Sequence, residues 1–296
     1  MNLRTLLLIV LAVPAAVLGA AAVSGARIPV PEFGRDYVLR FQLAGMPSSF
    51  ELPEVLGPGD VSRPLVVIDA GHGGRDPGAV GTDSSGRRFA EKDITLALAR
   101  ALRDELLSTG TIRVALTRSD DRIIALADRS EIARQLQADL FISIHADSAG
   151  ELNAVSGASV YTLSAEASSE AAARFAAREN SADRVNGVGV AGQSEAVSTI
   201  LVELAQQRTQ DDAARFADLL LREGDSVLAF VAQPRRSAAL AVLRAPDVPS
   251  ILFESGFVTN QADRARLTTD EGRKTYSQVL ARAIRIYFAR IPAEEG

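Results

Sequence analysis

The stretch LVVIDAGHGGRDPGAVG at residues 65–81 constrains this chain more than any other. Leu65, Val66, Val67 and Ile68 form an unbroken apolar run, the pattern of a strand buried on both faces in a parallel sheet covered by helices. The run breaks at Gly71 into a glycine-rich loop that carries His72. The chain has 2 histidines, and the second stands in the same setting, because the apolar run at 140–144 delivers His145 just before Ala146 and Asp147. A third run, 250–253, ends at Glu254. In open α/β sheets the ligand crevice lies beyond the carboxyl ends of the strands, so three side chains suited to metal binding or proton transfer are expected to converge there.

The rest of the chain alternates in the way such a sheet requires. Ile94, Leu98, Ala101, Leu102 and Leu106 recur at helical spacing and stop near Gly110. Ile112, Val114 and Leu116 alternate as a half-buried strand; a helix is expected at 126–137 and a further strand at 157–163. The fold class is therefore α/β, with a mostly parallel central sheet flanked by helices. Residues 166–221 interrupt the alternation with an Ala-, Glu- and Arg-rich stretch whose centre, 180–192, is punctuated by glycine. Helices are expected there at 166–179, 195–207 and 211–223, the last capped by Thr209, and the stretch reads as a helical insertion. A strand pair at 241–243 and 250–253 is expected to close the sheet. Thr268 and Glu271 have the spacing of a capping box for a final helix with Val279, Ala283, Ile286 and Tyr287 on its apolar face.

Outside this domain the signals are compositional. Arg4, the apolar run at 6–17 and the small residues up to Ala26 read as a signal peptide spanning 1–26, with Ala22 marking an earlier cleavage point and an uncleaved anchor as the competing reading. Residues 27–63 are rich in Pro and Gly and read as a linker, within which 37–43 alternates like a strand; 64–291 reads as the main domain. The body is expected to be exported to the periplasm and to meet the membrane only transiently, through the signal peptide. A net charge of -5 without a basic block argues against a nucleic-acid partner. With 0 cysteines, His and carboxylate side chains are the strong metal ligands left.

Two imidazoles with one carboxylate and an open position form a known catalytic zinc set. Glu91, opening the helix that contains Ile94, is one candidate for the carboxylate. Asp69, Asp76 and Asp147 compete with it, although each lies so near a histidine in sequence that it suits better the orientation of a loop or of the second ring N–H. Glu254 follows directly on a buried strand, where a carboxylate costs stability unless it is paired or used. Its functional reading is the base that takes a proton from the attacking water and returns one to the leaving amine. Ser143, Ser255 and Thr259 lack the setting of a nucleophile, since no GxSxG is present.

Taken together, VVIDAGHGGRDPGAVG at Val66, EKDITLALA at Glu91, TRSDD at Thr117, ADLFISIHADS at Ala138 and VPSILFESGFVTN at Val248 resemble the zinc-dependent N-acetylmuramoyl-L-alanine amidases of the amidase type 3 family. Those enzymes trim peptidoglycan during daughter-cell separation. The resemblance implies His72, Glu91 and His145 as ligands of Zn2+, Glu254 as the catalytic carboxylate, and hydrolysis of the amide joining N-acetylmuramic acid to L-alanine. The insertion is similar to that of members gated by a helix lying across the zinc, which a LytM-type activator protein removes. That likeness implies an autoinhibited chain with Glu179 covering the metal, Glu195 and Glu203 being alternatives, against the simpler reading of an acidic solvated face. Two rivals stand beside the amidase: a zinc peptidase cutting another stem-peptide bond, and an inactive peptidoglycan-binding scaffold of the division machinery, which would have no need of all four residues.

Overall fold

The apolar runs form strands of one sheet. In the computed structural model, β1 (Leu65–Ala70) is followed by a small antiparallel hairpin, β2 (Val80–Thr82) and β3 (Arg88–Ala90), and then by β4 (Arg113–Leu116), β5 (Leu140–Asp147), β6 (Ala158–Leu163), β7 (Phe230–Ala238) and β8 (Ser250–Phe257). The six long-range strands lie in the order β4-β1-β5-β8-β6-β7. All neighbours run parallel except β6 against β8. Every residue of β1, β5 and β8 is buried, as their continuous apolar character predicts. The structure describes residues 51–148, 155–186 and 199–290, with the backbone alone at 186 and 199–206.

Strand side chains alternate between two faces. On one, Val66, Ile68, Ile142, Ile144 and Phe253 pack with α1 (Glu91–Leu107), α5 (Thr199–Gly224) and α7 (Asp270–Arg290) through Leu98, Leu102, Phe216, Leu220, Leu280 and Ile284. On the other, Leu65, Val67, Phe141, Tyr161 and Leu252 meet Ile132 of α2 (Leu126–Gln135), Phe175 of α3 (Glu170–Glu179) and Val242. Burying each such Leu, Ile or Phe contributes about 1.5–3 kcal/mol, so both layers are needed to hold the sheet. The same alternation places Asp69, His145 and Glu254 on the second face, under α2 and α3.

Several expected elements differ. Ala241–Leu243 is a 3-10 turn rather than a strand; the strand beside β6 is β7, whose FVAQPRRSA sequence is too polar and proline-broken to be read as one, as befits a sheet edge. The two helices expected at 195–207 and 211–223 are one, α5, and Thr209 lies inside it, donating from Oγ1 to the Pro246 carbonyl at 3.1 Å instead of capping. The insertion's first helix begins later, at Glu170, capped by Ser169, and α4 (Ala182–Asn186) follows it. Before the final helix stands an unforeseen α6 (Gln261–Thr268), capped by Asn260. The cap of α7 is Thr269, which accepts from Gly272 N at 3.2 Å, because Thr268 Oγ1 donates back to Arg264 O. The signal-peptide region, the strand expected at 37–43 and most of the linker lie outside the described residues. Among the described residues no helix is long and apolar enough to cross a membrane.

Candidate active site

The loop after β1 turns back on itself at once. Gly71 N donates to Ile144 O, and Gly73 and Asp76 exchange backbone hydrogen bonds at 3.1 and 3.2 Å. His72 adopts a left-handed backbone conformation, φ 61°, which is uncommon for a residue with a Cβ. Its Nδ1 lies 2.8 Å from Asp76 Oδ2, leaving Nε2 to face inward. His145 arrives on β5, and the two rings meet edge to face with centroids 4.9 Å apart. A Cβ on Gly71 would strike the His145 ring at 2.5 Å, so glycine is required for the two histidines to approach.

Glu91 is brought in by the β2–β3 hairpin, which folds the start of α1 against the end of β1. Its Oε2 accepts from Ala79 N at 2.7 Å and its Oε1 from Ala146 N at 2.9 Å. Gly78 covers it with no room for a side chain, since a Cβ there would lie 2.5 Å from Glu91 Oε2 and 2.6 Å from His72 Cδ2. Glu179, the last residue of α3, enters from above. Four donor atoms thus surround one point: Glu91 Oε1 is 3.0 Å from His72 Nε2 and 3.1 Å from His145 Nδ1, and Glu179 Oε2 is 3.5 and 3.4 Å from the same two nitrogens.

This arrangement fits a metal ion. Ligands on a tetrahedral zinc with bonds of about 2.0–2.1 Å sit roughly 3.3 Å apart, the spacing found here. His72 Nε2 is buried without an aligned hydrogen-bond partner among the described residues, although two carboxylates are close. The electrostatics demand positive charge. Burial opposes a charged His72 ring, yet Glu91, Asp76 and Glu179 outweigh it and raise its pKa well above the ordinary value. Burial would likewise lift Glu91, but the two imidazoles outweigh it and hold its carboxyl well below the usual range.

Glu254 sits on β8 directly opposite His145 on β5. It is 2% exposed, and among the described residues neither of its carboxylate oxygens has a hydrogen-bond partner. Burial, followed by the charges of Asp147, Glu91 and Glu179, pushes its carboxyl well above the ordinary value. A group held in that state gives and takes protons readily, and a cation placed among the neighbouring carboxylates would bring it back toward ionisation.

The competing aspartates have other duties. Asp76 orients His72 from behind, and Asp69 lies beneath the site, accepting from Thr117 Oγ1, Arg129 Nη1 and Ser143 Oγ at 2.6–2.8 Å. Asp147 accepts from Arg178 Nη2 at 2.6 Å, and the same guanidinium reaches Glu179 Oε1 at 3.1 Å. Ser255 Oγ donates to the His145 carbonyl and is no nucleophile. Glu195 and the side chain of Glu203 lie outside the described residues. Sequence reasoning missed Arg118, Arg129, Arg178 and Asp183. For Arg129 a signal existed, since it shares a helical stripe with Ile132 and Ala133 and so falls on the buried side of α2.

The family model described as N-acetylmuramoyl-L-alanine amidase matches residues 66–285. The amidase AmiA of Escherichia coli K12 is 37% identical over 225 residues, covering 76% of this chain and 76% of that protein. AmiC of E. coli O6:H1 is 35% identical over 229 residues, 77% of this chain, which therefore spans about half (54%) of AmiC's own length. Among solved structures, the amidase AmiC2 of Nostoc punctiforme is similar with a TM-score of 0.53 at 28% identity, covering 77% of this chain and 98% of that one.

Proposed function

Since the chain belongs to the N-acetylmuramoyl-L-alanine amidase family, we propose that it is a zinc-dependent hydrolase of the amide between N-acetylmuramic acid and L-alanine in peptidoglycan, exported to the periplasm and acting in cell separation. The observation that carries the reading is the convergence of His72 Nε2, His145 Nδ1 and Glu91 Oε1 beside Glu254. His72, Glu91 and His145 would hold the metal, which supplies Lewis acidity toward the amide carbonyl and toward water. Asp76 keeps the His72 ring turned so that Nε2 faces the site. The backbone N–H groups of Ala79 and Ala146 keep Glu91 aimed. Glu254 takes the proton of the attacking water and passes it to the departing nitrogen of L-alanine, the transfer that an unactivated amide needs.

Glu179 makes the donor set closed. A structural zinc site has four protein ligands and a catalytic one keeps a position open, so a fourth donor at 3.4–3.5 Å from both histidines supports an inhibited state. The cover is fastened at a second point. Helix α2 has no side-chain cap of its own, and Asp183 of α4 supplies one across the site by accepting from Leu126 N at 3.0 Å. A LytM-type activator would lift α3 and α4 together. Glu179→Ala is expected to raise basal cleavage of purified peptidoglycan roughly 10- to 1,000-fold, given a covered state that leaves about 0.1–10% open. Asp183→Ala removes a cap worth about 1 kcal/mol and is expected to raise it about fivefold. Unchanged rates of soluble-peptide release in both variants would contradict the gating.

A further inference from the structure

Resting on the metal reading above, we infer that Arg129 is a positioning residue for the metal ligand His72, acting through the backbone on either side of that histidine's strained Cα. The peptide preceding His72 is held through the Gly71 carbonyl, which accepts from Arg118 Nη2 and from Thr95 Oγ1, both at 2.9 Å. The peptide following it is held through the His72 carbonyl, which accepts from Arg129 Nη2 at 2.8 Å. Two fixed peptide planes determine φ and ψ of the residue between them. The ring's remaining rotation is taken up by Asp76 on Nδ1. His72 Nε2 is therefore placed by four side chains, and its left-handed backbone persists because its surroundings dictate it.

Arg129 is built for this task. It is 3% exposed, and its Nη1 donates to Asp69 Oδ1 and to the Ala70 carbonyl, both at 2.8 Å, while Nε donates to Ile124 O at 3.2 Å. The planar fork thus spans the end of β1 and the loop at once, which a lysine's single ammonium cannot do. Asp69, fixed in turn by Thr117 and Ser143, sets where the guanidinium lies. Loss of the fork would release the carbonyl side of the His72–Gly73 peptide and leave the bond from Gly73 N to the Asp76 carbonyl, at 3.1 Å, to hold it. Gly73, at φ 130°, offers no resistance of its own.

The test compares the full chain with Arg129→Lys, reading cobalt affinity and the visible spectrum of the bound Co2+. The expected result is a 10- to 100-fold weaker affinity, about the cost of losing an outer partner of a ligand, with an altered spectrum. Ile284→Val, in the core on the opposite face of the sheet, controls for lost stability and should leave both readouts as in the parent chain. The double variant Asp69→Asn with Arg129→Gln removes both buried charges together, so that neither is stranded, and should show the same spectral change. Methylguanidinium added to Arg129→Ala should restore the parent spectrum. If Arg129→Lys and the double variant bind cobalt with the parent affinity and spectrum and differ only in melting temperature, the positioning role is overturned. If the parent chain binds no cobalt or zinc, the metal reading itself falls, a separately recognisable result.

Discussion

Replacing Glu254 by glutamine is expected to lower amide cleavage about 10²- to 10⁴-fold while leaving zinc content unchanged. Glutamine keeps the size of the side chain and removes its ability to carry a proton. The site makes this a clean separation: Glu254 lies opposite His145 on the neighbouring strand, close enough to share its space, yet its oxygens are not among the donors that surround the metal position. Its buried carboxyl, pushed up by burial and by Asp147, Glu91 and Glu179, is a poor structural element and a good proton carrier. Removing it should even relieve the folded state of an unpaired acid. Kinetics on purified peptidoglycan, in the Glu179→Ala background so that the site is open, give the rate. Metal analysis of the same samples gives the content. Activity within a few-fold of the parent would exclude Glu254 from the chemistry.

The second large effect concerns stability. Asp69→Ala is expected to cost about 3–5 kcal/mol, because it strands the buried Arg129 guanidinium without its counter-charge. It also removes the acceptor for Thr117 and Ser143, which tie β4 and β5 to β1. Burial would raise the pKa of Asp69, but Arg129, Thr117 and Ser143 outweigh it and hold the carboxyl below the ordinary range. A carboxyl with a depressed folded-state pKa stabilises fully above its unfolded value of about 3.9 and loses that contribution as pH falls through the folded value. The parent chain should therefore lose stability on acidification below about pH 4, and Asp69→Ala should show a flatter dependence there. Urea unfolding at several pH values measures both. A loss under about 1 kcal/mol would mean that Arg129 finds other partners.

Much of this was legible in the residues themselves, for identifiable reasons. The β1, β5 and β8 runs are apolar because both faces are buried, so strand identity followed, with His72 just past β1; β5 and β8 continue beyond the expected ends, so His145 and Glu254 lie inside the C-terminal halves of these strands. Glu91 was harder. Its place depends on the β2–β3 hairpin and on a hydrogen bond from Ala146 N that links positions 55 residues apart, which no local pattern encodes. Strand β7 escaped notice because an edge strand needs little apolar character, and the 3-10 turn at Ala241–Leu243 borrowed the look of a strand from its buried Val242 and Leu243. Arg118 beneath the site was invisible for a related reason. A charge inside a TRSDD motif reads as surface until the carbonyls it serves are known, whereas Arg129 carried a signal in the buried stripe of α2.

The account's central claim is that His72, Glu91 and His145 hold a metal that this chain needs to cut one particular amide. Digestion of purified peptidoglycan by the Glu179→Ala chain, before chelation, after it and after zinc is returned, tests that claim directly when the released products are identified. The account predicts peptides beginning with a free L-alanine amine and glycan strands whose muramic acid residues carry free lactyl carboxylates, with release abolished by the chelator and restored by zinc. Release that ignores the chelator, or peptides cut at another bond, would contradict it.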